Sequence, residues 1–257
     1  MSRDVENQPK MPGVSILELA FSLLAIAITA FVLNILGGIA LSLVAIVVFG
    51  QNAVTNFGQQ IKSGMLSTNQ PAYELLNFGL MILIYVTLGL AIWLVAKFRA
   101  KVPFTERVAW RDWDGDRQFW WLAIGVGPLY GLISGWLLGL LEPQAEQWLK
   151  LPTQFPALGM AFFVIVILGP AVEELLFRGW IFTGLRGRLA FLPTALITAT
   201  LFALAHYEST FTYAMAVFPM GLLLSYVRER YGSIKASIVV HGLFNLFAMA
   251  MNYLGAG

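Results

Sequence analysis

Apolar residues run along this chain in blocks too long for a soluble core helix, divided by short segments that hold most of the charge. The blocks are Ile16–Phe49, Leu75–Ala96, Phe119–Leu141, Ala157–Leu185, Leu192–His206, Phe211–Tyr226 and Ile234–Leu254. About 20 apolar residues suffice to cross a hydrocarbon layer of roughly 30 Å. The pattern therefore predicts an all-α polytopic transmembrane helical bundle of about seven spans, or eight if the first run divides at Gly37-Gly38. Leu192–His206 is short, so it spans thinly or is sheltered by its neighbours. The polar stretch Met1–Gly13 precedes a run longer than a signal-peptide core, which reads as a retained first span. No internal repeat, low-complexity segment or linker divides the chain, so residues 1–257 are expected to form a single integral membrane domain.

Charge adds an orientation. The chain is 58% hydrophobic and 12% charged, against about a quarter charged in soluble domains. If the N-terminus is cytoplasmic, the inner segments carry Arg3 and Lys10, the group from Lys97 to Arg117, then Arg186, Arg188, Arg228, Arg230 and Lys235. The outer segments carry only Lys62 and Lys150. Cytoplasmic loops collect Lys and Arg, so the expected topology is N-terminus in and C-terminus out. A net charge of +2 with scattered basic residues implies no nucleic-acid partner. With no cysteine there is no thiolate nucleophile and no disulfide. The segment Phe98–Gln118, with Trp110, Trp113 and three aspartates, reads as an interfacial stretch with aromatic anchors, and 143–149 as a short surface helix.

The informative positions are polar ones inside apolar blocks. Both histidines of the chain, His206 and His241, fall there, together with Glu173, Glu174, Arg178 and Asn245. Ionisable groups at membrane depth are costly and persist with a partner or a task. At 1.5 Å rise per residue, Glu173 and His206 lie roughly 20 Å from the inner helix ends and His241 and Asn245 roughly 10 and 16 Å, so the four can share a layer. That count also places the expected cavity toward the cytosol or the inner leaflet. Gly169-Pro170 is expected to interrupt or restart its helix, leaving both glutamates in a first turn. Glu174 and Arg178 are four apart and share a face, so they are expected to pair, with Glu173 freer for chemistry and the opposite allocation open. Phe202 and His206 share a face by the same spacing, as do His241 and Asn245.

This inventory supports two chemistries. A glutamate and a histidine can bind water and take its proton as it attacks a carbonyl, while histidine and amide donors hold the oxyanion. Alternatively, Glu173, His206 and His241 match a catalytic zinc set of two histidines and one glutamate, with water in the fourth position. No His-Glu-x-x-His motif occurs, and Asp4, Asp112, Asp114 and Asp116 all lie outside the spans, which argues against zincin-like and aspartyl-dyad sites. Ser134, in Gly131-Leu-Ile-Ser134-Gly135, reads as a small packing residue rather than a nucleophile. A transporter with a proton-coupled relay is a further reading, weakened by the lack of a broken-helix repeat in two halves.

At these residues the chain resembles the CAAX protease and bacteriocin-processing family of intramembrane endopeptidases, which includes the type II CAAX prenyl proteases. The family motifs Glu-Glu-x-x-x-Arg, Phe-x-x-x-His and His-x-x-x-Asn stand here in order as Glu173-Glu174-Leu-Leu-Phe-Arg178, Phe202-Ala-Leu-Ala-His206 and His241-Gly-Leu-Phe-Asn245. The resemblance implies a catalytic core over residues 155–250 in which Glu173 and His206 activate water and His241 with Asn245 holds the oxyanion. Glu174 and Arg178 orient the site, Phe202 is structural, and no cofactor is required. It implies a bacterial-type plasma membrane protein acting on a membrane-associated protein or peptide among membrane lipids, with no commitment to a prenylated substrate. The alternative is a non-catalytic scaffold or immunity-type binding protein on the same fold.

Overall fold

A computed structural model describes residues 15–63, 71–99, 102–141, 151–152, 155–207 and 211–254. Among these residues there is no strand. The helices are α1 (Ile16–Phe49), α2 (Gln51–Ser63), α3 (Pro71–Arg99), α4 (Phe104–Arg107), α5 (Arg117–Leu141), α6 (Ala157–Arg186), α7 (Phe191–Leu204), α8 (Phe211–Tyr231) and α9 (Ile234–Tyr253). Six of them are long and apolar enough to cross a membrane, and α7 is a shorter apolar helix. The protein is thus a multi-pass helical bundle with the predicted set of about seven spans. The short helix expected over 143–149 lies outside the described residues.

α1 is one unbroken helix of 34 residues, started by a capping box between Ser15 and Glu18. Its Gly37-Gly38 pair does not split it. A side chain at Gly37 would run into Leu83 of α3, so the glycine serves close helix packing instead. Asn34 Nδ2 donates to Thr87 Oγ1 at 2.7 Å across the same interface. Only 6% of the most apolar window of α1 is buried, against 39% for α6. α1 therefore faces lipid, and α6 stands at the centre, touching α3, α5's partner α9, α7 and α8.

The central helix departs from the expected break at Gly169-Pro170. α6 runs continuously from Ala157 to Arg186, but its turns widen to an i+5 pattern over Phe163–Leu168 and Leu175–Phe182. In the first wide turn Gly169 N–H reaches back five residues to the Val164 carbonyl. Pro170 has no N–H to give the next carbonyl, Ile165. Asn245 Nδ2 of α9 donates to that oxygen at 2.8 Å. The proline changes the helix register and frees an acceptor rather than ending the helix. α9 approaches closely here because of Gly242, where a Cβ would lie 2.8 Å from the Val166 carbonyl oxygen.

α7 ends at Leu204, so His206 sits in the following turn and not within a span. Gly221 of α8 meets Ala199 of α7, a Cβ there lying 3.0 Å from Ala199 Cα, which sets the two helices at one level. Beyond that level α8 has ten more residues to Phe211 and α7 has five to Leu204. At 1.5 Å per residue α8 overtops α7 by roughly 7 Å.

Part of Phe98–Gln118 is packed into the bundle, while Trp110 within it is exposed. Arg107, Val108 and Ala109 are buried, and Ile234 N–H donates to the Ala109 carbonyl at 3.1 Å. The segment lies across the arginine-bearing end of the bundle, fitted to it at Gly179, where a Cβ would come 3.0 Å from Val108 Cβ.

Candidate active site

On a helix, adjacent residues point about 100° apart, and Glu173 and Glu174 consequently meet different surroundings. Glu174 faces the packed interior and is fully buried, as is Arg178. Arg178 Nη1 donates to Glu174 Oε1 at 2.8 Å and Nη2 donates to the Gly221 carbonyl at 2.8 Å. The guanidinium also lies 4.5 Å from the centre of the Phe202 ring. Two charges removed from water need such a partner set, since each would otherwise carry its full desolvation cost.

Glu173 faces a cavity of about 250 Å³ that His206, His241, Asn245, Tyr85 and Phe202 also line. Its Oε1 accepts from the Tyr85 hydroxyl at 2.6 Å. Its Oε2 is 3.8 Å from His241 Nε2, too long for a direct hydrogen bond and short enough for one water beside the pair to contact both. Glu174 and Arg178 do not line this cavity; they stand behind it.

The hydrogen-bond partners fix how each imidazole presents itself. Four carbonyls at the end of α7 need donors. Ala205, His206 and Tyr207 N–H groups serve Leu201, Ala203 and Leu204, and His206 Nδ1, 2.8 Å from the Phe202 carbonyl, serves the fourth. A carbonyl only accepts, so Nδ1 carries the proton and neutral His206 keeps a lone pair on Nε2. His241 Nδ1 lies 3.1 Å from Glu174 Oε1, and as a donor to that carboxylate it likewise leaves Nε2 toward Glu173. Phe202 joins the parts: its ring centre is 4.7 Å from that of His206, 5.7 Å from His241 and 5.1 Å from Phe177.

The three motifs expected to converge are therefore in one place, with Glu173, His206, His241 and Asn245 on the cavity and Glu174 with Arg178 beneath it. Glu173, His206 and His241 do not gather as metal ligands do; among the described residues no group of three His, Asp or Glu side chains forms such a cluster. Ser134 lines the same cavity and donates its hydroxyl to the Gly131 carbonyl at 3.2 Å. Tyr85 is the site residue that sequence reasoning missed. It lies 88 positions from Glu173 in a span that reads only as apolar, and a tyrosine there carries no local signal.

The cavity's position reverses one expectation. Leu138 near the end of α5, Val164 early in α6, Tyr213 in the first turn of α8 and Met249 near the end of α9 line it together. All lie in the halves of their helices away from Arg186, Arg228 and Lys235, so the cavity extends toward the end poor in Lys and Arg. Counting depth from the inner helix ends missed this because α7 stops below its neighbours.

A helical bundle with an ionisable cluster between its central spans defines a multi-pass membrane protein with a polar site at membrane depth. Residues 155–247 match the family profile described as type II CAAX prenyl endopeptidase Rce1-like. The chain is 27% identical over 120 residues to the membrane-embedded CAAX protease MroQ of Staphylococcus aureus (strain USA300), covering 44% of this chain and 47% of that protein. It is 29% identical over 105 residues to the UPF0177 protein YbdI of Lactococcus lactis subsp. lactis (strain IL1403), covering 40% of this chain and 52% of that protein. The chain thus spans about half the length of the curated relatives it matches. No solved structure matches it. Over residues 155–247 the chain is thus similar to type II CAAX prenyl endopeptidases of the Rce1-like kind.

Proposed function

We propose that this protein is an intramembrane endopeptidase that hydrolyses a peptide bond of a membrane-associated protein or peptide, using water activated by Glu173 and His206. The observation that carries the reading is the separation of the two glutamates: Glu174 is locked to Arg178 in the interior while Glu173 lines a cavity together with His206 and His241. Water held at Glu173 Oε2 attacks the scissile carbonyl carbon, its proton passing to Glu173 or His206 Nε2. Collapse of the tetrahedral intermediate breaks the C–N bond, and that proton goes to the leaving amine. The products are a carboxylate and an amine, with no covalent enzyme intermediate.

His241 and Asn245 face the developing oxyanion in this scheme. Donation from His241 Nε2 requires the doubly protonated imidazolium. Asn245 gives one amide hydrogen to the Ile165 carbonyl and keeps the second for the oxyanion. The residues at 155–250 form the catalytic core, within one integral membrane domain. The scheme uses the protein's own groups alone, and the zinc alternative at Glu173, His206 and His241 is decided by the chelator arm of the assay below.

A cleavage assay in liposomes with a peptide panel tests this directly. Glu173→Gln is expected to lower turnover by at least ~10²-fold, the order a positioned base contributes, with folding retained and wild-type turnover indifferent to a chelator. Near-wild-type turnover of the variant removes Glu173 from water activation, and loss of wild-type activity on chelation restores the metal reading. A folded wild-type protein that cleaves nothing favours a non-catalytic scaffold or immunity-type role.

The Lys and Arg distribution supports a cytoplasmic N-terminus and an outer C-terminus, and the relatives from Staphylococcus aureus and Lactococcus lactis support a bacterial-type plasma membrane. The cavity then lies in the outer half of the bundle. The chain has no natural cysteine, so Leu138→Cys and Ala248→Cys, both on the cavity, are clean reporters. A membrane-impermeant thiol reagent is expected to label them from outside in vesicles of verified orientation; labelling only from the inside reverses the assignment.

A further inference from the structure

We infer that Tyr85 is a positioning residue for the proposed hydrolysis: its hydroxyl fixes the Glu173 carboxylate so that Oε2 alone faces the reacting water. The inference rests on the endopeptidase reading of the same site and extends it to α3, outside residues 155–247, where none of the three motifs lies.

Three observations carry it. The Tyr85 hydroxyl donates to Glu173 Oε1 at 2.6 Å, the short distance of a charge-assisted bond to a carboxylate. Oε2 is left toward His241 Nε2 at 3.8 Å, so the two oxygens of one carboxylate have different partners. Gly169 packs closely against the phenol: a Cβ there would come 3.3 Å from both Tyr85 Cζ and its hydroxyl oxygen, so a side chain at 169 would crowd the ring. Gly169 belongs to the wide turn ahead of Pro170, so the register change in α6 that presents Glu173 also makes room for the ring that holds it.

A carboxylate on a glutamate stem has three rotatable torsions, and a base that samples several orientations loses the near-attack geometry on which its effect depends. Phenylalanine at 85 keeps the ring and its packing and removes only the donor. Hydrolysis by Tyr85→Phe is therefore expected to show kcat lowered by ~10–100-fold, part of what a positioned base contributes, with KM within about twofold of wild type. A residue that only packed the helices would leave kcat unchanged or lower stability alone.

A thermal double-mutant cycle supplies a readout independent of activity. Melting temperatures of wild type, Tyr85→Phe, Glu173→Gln and the double variant in detergent are expected to be non-additive, since the two side chains share one bond. A kcat within twofold of wild type overturns the positioning role, and strictly additive melting shifts overturn the contact. Absence of wild-type cleavage alongside a non-additive cycle overturns the endopeptidase reading and the positioning role built on it, while leaving the bond itself established.

Discussion

At the end of the bundle that carries Arg186, Arg228 and Lys235, segment 102–116 is laid across the helices and several of the charges there have partners. Arg186 meets Glu229 at 2.8 Å, Lys235 meets Asp112 at 2.6 Å, and Arg107 is buried 4.4 Å from the Trp180 ring centre. Burial there pushes the Arg107 guanidinium below its ordinary value. Toward the opposite end α7 stops roughly 7 Å short of α8, and a cavity has Glu173, His206 and His241 on its wall. Both ends are built from the same apolar helices. The difference lies in helix length and in the partners of the polar groups: at the first end they meet one another, while at the second Glu173, His206 and His241 line a cavity.

The boundary between the two regions is the buried Glu174–Arg178 pair, and breaking it gives the largest expected effect. Arg178→Ala leaves a carboxylate unpaired in the interior and is expected to cost about 3–5 kcal/mol, read as loss of folded protein on thermal unfolding in detergent. Glu173→Gln, one residue away on the cavity wall, is expected to lower the melting temperature by much less than Arg178→Ala. Equal shifts for the two variants would erase the contrast between interior and cavity.

Asn245 sharpens the comparison from the cavity side, because it works on the cavity wall and as a brace at once. Asn245→Ala leaves the Ile165 carbonyl without its donor and is expected to cost about 1–3 kcal/mol as well as activity. Lost activity with unchanged stability would make Asn245 an oxyanion donor alone.

The smallest effect belongs to the surface of the first end. The Phe119 backbone N–H, followed by the Tyr231 hydroxyl, holds the Asp116 carboxyl below the usual carboxylate range. A depressed carboxyl contributes stability above its unfolded value, about 3.9, and loses that contribution as pH falls through the lower folded value. Asp116→Asn is therefore expected to flatten the acid limb of the stability curve below about pH 4, by well under the other effects because the group is partly exposed. An unchanged acid limb would show that the cap does not matter to that end.

The spacing rules made some of this site legible and left the rest invisible. Glu174 and Arg178 are paired by an i,i+4 relation that any helix imposes, and Phe202 with His206 follows the same rule even though His206 falls just past the helix end. Tyr85 was invisible because its partner is 88 residues away on another helix. The brace from Asn245 to Ile165 was invisible because it depends on a change of helical register at Pro170 that proline's ordinary helix-breaking habit does not announce.

By itself the sequence determined the helical membrane class, the spans and the identity of the polar residues within them. Those follow from the high cost of exposing backbone and charge to hydrocarbon, a cost each segment meets locally. Only the tertiary structure decided which glutamate faces the cavity, which nitrogen of each histidine is free and at which end the cavity lies. Those depend on helix rotation, on a register shift set by one proline and on the shortfall of α7 against α8, quantities fixed by how helices pack against each other and not by any one segment.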